Sequence, residues 1–275
     1  MLSPIQHLPA NFQLGPIEIT GFGLAVLAAF AISQIICQRE LWRRGFDKEA
    51  DAIPDIVLAA LVGTLIGAKT YYVVLTGDPG AFLSRGGFVF WGGFMGSVVL
   101  CWAVIKVKKL NFLRIADVAG IAIAAGYSVG RTGCWAVGDD YGRPWNGFLA
   151  TQFPEGAPPS TVSVMSSQFG VTFPAGTNPM DVVAVHPTQL YETLMGFIMF
   201  LVVWNLRKHT NKEGWLFGVY CIVAGIERFT VEFFRAKDDA LTVGLTTAQI
   251  IAITIFTIGV GLIVSRRRPA VGMAA

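Results

Sequence analysis

Charged side chains are scarce in this sequence, and those that could do chemistry gather in three short segments. GRTGCWAVGDDYG carries Arg131, Asp139 and Asp140; ERFTVEFFR carries Glu227, Arg228, Glu232 and Arg235; HPTQLYE opens on His186 and contains Tyr191. Wound as a helix at about 100° per residue, Glu232 and Arg235 fall within about 40° of Arg228 on one stripe, where Arg and Glu four apart can pair. Arginines in two separate segments suggest an anionic ligand, because a guanidinium holds phosphate through paired hydrogen bonds. The alternative is an internal ion pair that ties one helix to its neighbours, with Arg235 reaching toward an interface.

The elements that must position these groups are membrane spans. Of the 275 residues, 53% are hydrophobic and only 14% charged, unlike a soluble domain. A hydrocarbon layer about 30 Å thick needs roughly 20 apolar residues per helix. Seven such runs are expected, near Ile19 to Cys37, Ile53 to Leu75, Phe88 to Val107, Leu113 to Val129, Thr188 to Leu206, Trp215 to Phe234 and Thr246 to Val264. The fold class is therefore an all-α integral membrane protein, one polytopic domain over residues 1–275. At membrane depth a charge costs about 2.5–3.5 kcal/mol on insertion scales, so the polar clusters above point to function.

Loop charge sets the expected orientation. The connections after the first, third, fifth and seventh runs hold Arg39, Arg43, Arg44 and Lys48, then Lys106, Lys108, Lys109 and Arg114, then Arg207, Lys208 and Lys212, then Arg266, Arg267 and Arg268. Those are cytoplasmic by the positive-inside rule. The other side has an N-terminal tail without a cation, Arg85 alone, Arg131 with Arg143, and Arg235 with Lys237. This predicts an outside N-terminus, a cytoplasmic C-terminus and a long outer-face loop over 131–187, and it puts all three polar segments toward the outer side. Its aromatic and apolar residues favour a partly ordered flap on the membrane surface; the alternative is a solvated linker. The first eighteen residues hold no Lys or Arg, so no cleavable signal peptide is visible.

Other residues narrow the function. WGGFMG, with Gly92 and Gly93, and GRTG put small residues where backbone can approach a partner helix or a ligand. Pro187 suits the first position of a helix, which leaves His186 just outside it as a free ring or an interfacial cap. Cys37, Cys101, Cys134 and Cys221 form no CxxC pair or disulfide spacing. The net charge of +3 is spread by topology and forms no basic face for nucleic acid. A solute transporter would place polar groups at the midplane and show inverted repeats, neither of which is visible. A retinal protein would need a lysine in the last run, which has none.

Taken together, LGPIEITGFGL, FWGGFMG, GRTGCWAVGDDYG, HPTQLYE, RFTVEFFR and LTTAQI resemble, in order and spacing, the bacterial prolipoprotein diacylglyceryl transferases over nearly the whole chain. The resemblance implies a multi-pass enzyme of the bacterial inner (cytoplasmic) membrane with its active site toward the outer face. Its partners would be phosphatidylglycerol, membrane lipid, and the signal peptide and lipobox of prelipoproteins. It would move the diacylglyceryl group to the lipobox cysteine thiol, forming a thioether and releasing glycerol 1-phosphate; no metal or soluble cofactor is implied. By position, Arg131 and Arg228 would bind and polarise the phosphate, Glu232 would orient Arg228, and Gly142 would close the signature turn. Arg235, Gly92, Gly93 and Tyr191 complete the candidate lipid contacts. The chain departs from the family pattern at Trp91, where His or Tyr is usual, at Cys134 for Asn, at Asp139 for Glu and at Phe22 for Tyr. Trp91 cannot act as a base, so Asp139, His186 and Glu232 are the candidate proton acceptors. The other reading is a non-catalytic or altered-substrate paralogue that binds lipid or signal peptide.

Overall fold

The computed structural model describes residues 3–15, 17–84, 87, 89–236 and 244–268. Arg85 and Lys237, counted above among the outer-loop cations, lie outside these residues. In chain order the helices are α1 (Gly21–Arg43), α2 (Asp47–Asp51), α3 (Ile53–Thr76), α4 (Phe90–Val107), α5 (Phe112–Val137), α6 (Val162–Phe169), α7 (Thr188–Leu206), α8 (Trp215–Val231) and α9 (Thr247–Arg266). Short strands are β1 (Ile5–Gln6), β2 (Asn11–Leu14), β3 (Ile17–Thr20), β4 (Thr151–Gln152) and β5 (Ala184–Val185).

Among the described residues, 6 helices are long and apolar enough to cross a membrane: α1, the continuous stretch Asp47–Thr76, α4, α5, α7 and α9. The sequence predicts seven. The remaining one, α8, has 17 residues, about 26 Å at 1.5 Å per residue. Its end is set by chemistry, since Arg235 forms a β-bridge with Gly142 and draws the chain out of the helix. At α5 the difference runs the other way. The helix continues to Val137 instead of ending near Val129, so Arg131 sits inside it, on the last turns of the best-buried span.

The described chain falls into two compact units, residues 34–119 and residues 1–33 with 120–275. In the first, α3 and α4 pack at a glycine seam: a Cβ at Gly63 would lie 2.5 Å from the carbonyl oxygen of Gly96, and one at Gly67 or Gly92 would strike the other's backbone. Gly93 fits against Thr64, whose carbonyl oxygen would lie 3.1 Å from an added Cβ. Gly92 and Gly93, expected beside lipid, are thus buried in helix packing, because two helices this close leave no room for a side chain. Trp91 beside them is exposed, its ring 5.6 Å from that of Phe90.

In the second unit α5 is central. Ser33 Oγ of α1 donates to the carbonyl of Ala122 at 3.1 Å, and Ser128 Oγ donates to the carbonyl of Thr193 on α7 at 2.8 Å. Facing glycines, Gly218 and Gly259, join α8 to α9. The long connection between α5 and α7 is folded. β4 pairs parallel with β1 and antiparallel with β5, and Tyr141, Phe153, Met165, Val185 and Ala236 form a buried apolar core of its own. Those apolar residues in a loop rich in Pro, Gly and Ser distinguish it from a solvated linker.

Candidate active site

Glu192, on the second turn of α7, is the hub of the polar cluster and is fully buried. Its Oε1 lies 2.5 Å from Arg131 Nη2, 3.6 Å from Arg235 Nη1 and 3.9 Å from Arg228 Nη1. Three guanidiniums in contact with one oxygen repel each other by several kcal/mol per pair, about 4 kcal/mol for unit charges 4 Å apart at an effective dielectric near 20. Carboxylates offset this. Asp140 bridges Arg131 Nη1 and Arg235 Nη2, both at 2.8 Å, through its two oxygens. Glu232 lies 2.8 Å from Arg228 Nη2 and 4.0 Å from Arg235 Nε, as ion pairs whose angles are not those of hydrogen bonds.

Local backbone explains why the segments converge. After α5 the chain turns through Gly138, at φ 70°, and Asp140, at φ 56°. A non-glycine residue in the left-handed region costs free energy unless its surroundings hold it there. Here Thr188 Oγ1 donates to the Asp140 carbonyl at 2.6 Å, and Gln189 Nε2 donates to the Asp139 carbonyl at 2.5 Å. Both residues come from HPTQLYE, so one motif clamps the turn and supplies the hub. Gly142 follows, its N–H donating to the carbonyl of His186 at 2.8 Å. A Cβ there would lie 2.8 Å from Thr188 Cγ2 and 2.9 Å from His186 Cβ, so only glycine fits.

The structure brings Arg131, Arg228, Glu232 and Arg235 together. It places His186 differently: the ring stacks on Trp145 at 4.3 Å, and Nδ1 is 3.2 Å from Tyr191 Oη. Phe234 closes this aromatic box edge-on, 5.3 Å from His186. Burial lowers the pKa of His186, so the ring is neutral near pH 7 and able to accept a proton. The carboxylate that pairs with Arg131 and Arg235 is that of Asp140, next to Asp139. The Asp139 side chain keeps a buried Oδ1 without a hydrogen-bond partner. Burial, and then the charge of Asp140, pushes its carboxyl up to about 6. Asp140, although desolvated, is held down to about 2 by Arg235 and Arg131.

Sequence reasoning passed over Glu192, Asp140 as the bridge, and Tyr127, whose hydroxyl lies 3.2 Å from Glu192 Oε1 and 2.9 Å from Glu227 Oε1. Glu192 carried a signal, as the only charged residue in α7. Cys134 Sγ and the carboxylates of Asp139 and Asp140 lie within 4.8 Å of one another, a spacing that could hold a metal ion. Both Asp140 oxygens are taken by guanidiniums, however, and Arg131 Nη1 also donates to Cys134 Sγ at 3.3 Å. A cation would have to displace two arginines from Asp140, so this spacing does not favour a metal ion. Arg228 is its most open member, with 28% of its side chain exposed against 14% and 8% for Arg131 and Arg235.

Apolar helices of membrane-spanning length, with arginines and buried carboxylates knotted where their ends meet a folded loop, define a helical membrane protein with a buried arginine–carboxylate site. Residues 9–265 match the sequence profile of prolipoprotein diacylglyceryl transferase, and the chain belongs to that family. The phosphatidylglycerol--prolipoprotein diacylglyceryl transferase of Lysinibacillus sphaericus is 30% identical, covering 96% of this chain and 93% of its own length. Proteins of the same name from Chlorobaculum tepidum and Geobacter sulfurreducens are each 28% identical over 96% and 94% of this chain, and 93% and 96% of their own.

Proposed function

We propose that this protein transfers the diacylglyceryl group of phosphatidylglycerol to the cysteine thiol of a prelipoprotein lipobox, releasing glycerol 1-phosphate. The observation that carries the reading is the convergence of Arg131, Arg228 and Arg235 on buried Glu192, in a chain of this family. In the reaction the thiol loses its proton, sulfur forms a bond to the glycerol carbon, and the carbon–oxygen bond to phosphate breaks with its electrons going to the phosphate. Arg228, the most open guanidinium, receives the phosphate, and Arg131 shares the charge that grows on the leaving oxygen. A free thiol has a pKa of about 8.5, so a base is useful but need not be strong. Asp139 and neutral His186 are the candidates; Glu232 acts by holding Arg228. Neither a metal nor a soluble cofactor enters this scheme.

The same reading takes α8 as a seventh span, with the N-terminus and the 131–187 loop outside and the C-terminus in the cytoplasm of a bacterial inner membrane. This puts the site where a secreted prelipoprotein and outer-leaflet lipid meet. A non-catalytic paralogue is not favoured: Asp140 supplies the bridging carboxylate despite the departures at Cys134 and Asp139. The test is to incubate the purified protein with phosphatidylglycerol and a lipobox peptide, then seek the diacylglyceryl adduct by mass spectrometry. Its absence, with folded protein and both substrates present, refutes the assignment.

A further inference from the structure

Glu227 is a buried carboxyl that the scheme above does not use. It reaches from α8 to the Tyr127 hydroxyl at 2.9 Å, and the same hydroxyl lies 3.2 Å from Glu192 Oε1. A phenol has one proton to give. It can be given to only one of the two carboxylates, so a chain in which both stay hydrogen-bonded to the phenol needs one further proton, carried by a carboxyl group. Glu192 Oε1 already accepts from Arg131 Nη2 and faces two further guanidiniums, which leaves the proton on Glu227. The groups facing Glu227 are Tyr127 and Arg131 from α5, Glu192 from α7, and Arg228 and Tyr220 on its own helix. In α9, which packs against α8, no titratable residue precedes Arg266.

We propose that Glu227, Tyr127 and Glu192 form a one-proton relay that moves negative charge off Glu192 when an anionic phosphate takes its place on Arg131. The proton leaves Glu227 Oε1 for the Tyr127 oxygen as the phenol's own proton passes to Glu192. One O–H bond breaks and one forms at each step, and no electrons are exchanged. Glu192 becomes a neutral acid that no longer competes for the guanidinium, and the charge reappears on Glu227, across the ring. Arg131 Nε, 3.5 Å from the Tyr127 hydroxyl, then faces the phosphate and the phenol together. The proposal rests on the phosphate-binding reading above and assigns Glu227 and Tyr127 as positioning residues for it.

The test uses the full-length protein in detergent with a short-chain phosphatidylglycerol, measuring binding by calorimetry and transfer to a lipobox peptide across a pH series. In the wild type, lipid affinity should fall as pH rises, because deprotonating Glu227 empties the relay. Glu227→Gln should bind about tenfold more weakly, within the usual range for coupled equilibria, and should lose that pH slope. Tyr127→Phe should do the same, and the double variant should be no worse than either single one. A Glu227→Gln protein with wild-type affinity and slope overturns the relay, as do losses that multiply in the double variant. Should Glu227→Gln fail to fold, Tyr127→Phe, which removes only the relay's oxygen, is read by the same outcomes. A wild type that binds with the expected slope but transfers nothing would sink the transferase reading and leave the relay standing.

Discussion

Glu192→Gln is the most informative single change, because it removes the charge that three guanidiniums share while keeping the side chain's shape. At an effective dielectric near 20, unit charges at the observed 2.5, 3.6 and 3.9 Å attract by about 7, 5 and 4 kcal/mol before the carboxylate's desolvation is subtracted. Most of that sum is cancelled by desolvation and by the partners that remain, Asp140 and Glu232. Breaking a buried pair from one side typically leaves a deficit of about 3–5 kcal/mol. For a chain of this size the deficit corresponds to a fall in melting temperature of about 10 °C. Glu192→Gln also imitates the neutral acid of the relay, so its arginines are open to phosphate. Phosphatidylglycerol should therefore raise the variant's melting temperature more than the wild type's, by the linkage of binding to stability. Thermal melts in detergent, with phosphatidylglycerol or with zwitterionic lipid, measure both quantities. A variant that melts with the wild type, or that gains no more from phosphatidylglycerol than from the zwitterionic lipid, would refute the hub role.

Arg131→Lys and Arg228→Lys should each lose at least about tenfold in transfer while staying folded, since an ammonium cannot present the two-pronged fork; near-normal turnover in both would sink the phosphate role. Because the Asp139 carboxyl is raised to about 6, a base there is ionised only above that pH. If it takes the thiol's proton, wild-type turnover should climb through pH 6, and Asp139→Asn should lose most turnover at neutral pH and regain part of it at high pH as the thiol ionises unaided. A pH profile unchanged by Asp139→Asn would transfer the role to His186. For topology, an impermeant thiol reagent applied to spheroplasts should label a cysteine placed at Ser163 and spare one placed at Lys208, and the reverse pattern would overturn the orientation.

Much of this site was legible because membrane chemistry makes polar residues conspicuous. Arg131, Arg228, Glu232 and Arg235 stood out against apolar runs, and they meet in the structure. What the one-dimensional pattern hid was the identity of the partners. Whether Asp139 or Asp140 faces the arginines depends on the left-handed turn at Asp140, held by Thr188 and Gln189 across about fifty residues of chain. Helix ends were misjudged for a related reason: α5 continues past its apolar stretch because Arg131 is neutralised there, and α8 stops early because Arg235 pairs with Gly142. The glycines of WGGFMG fitted a ligand or a helix neighbour equally well in sequence, and only the close approach of α3 distinguishes the two. The order of the loop after α5 includes long-range pairing of β1 with β4, which no local periodicity signals.

The central claim, that this arginine and carboxylate cluster performs the transfer, is tested most directly by following both products in one reaction. Lipobox peptide and phosphatidylglycerol are incubated with wild type and with Arg228→Ala, and the cysteine adduct and free glycerol phosphate are quantified together over time. The account predicts equimolar appearance of a diacylglyceryl thioether, resistant to neutral hydroxylamine, and glycerol phosphate for the wild type, with both lost in a variant that still melts cooperatively. A hydroxylamine-labile acyl adduct, glycerol phosphate without adduct, or undiminished transfer by Arg228→Ala would contradict it.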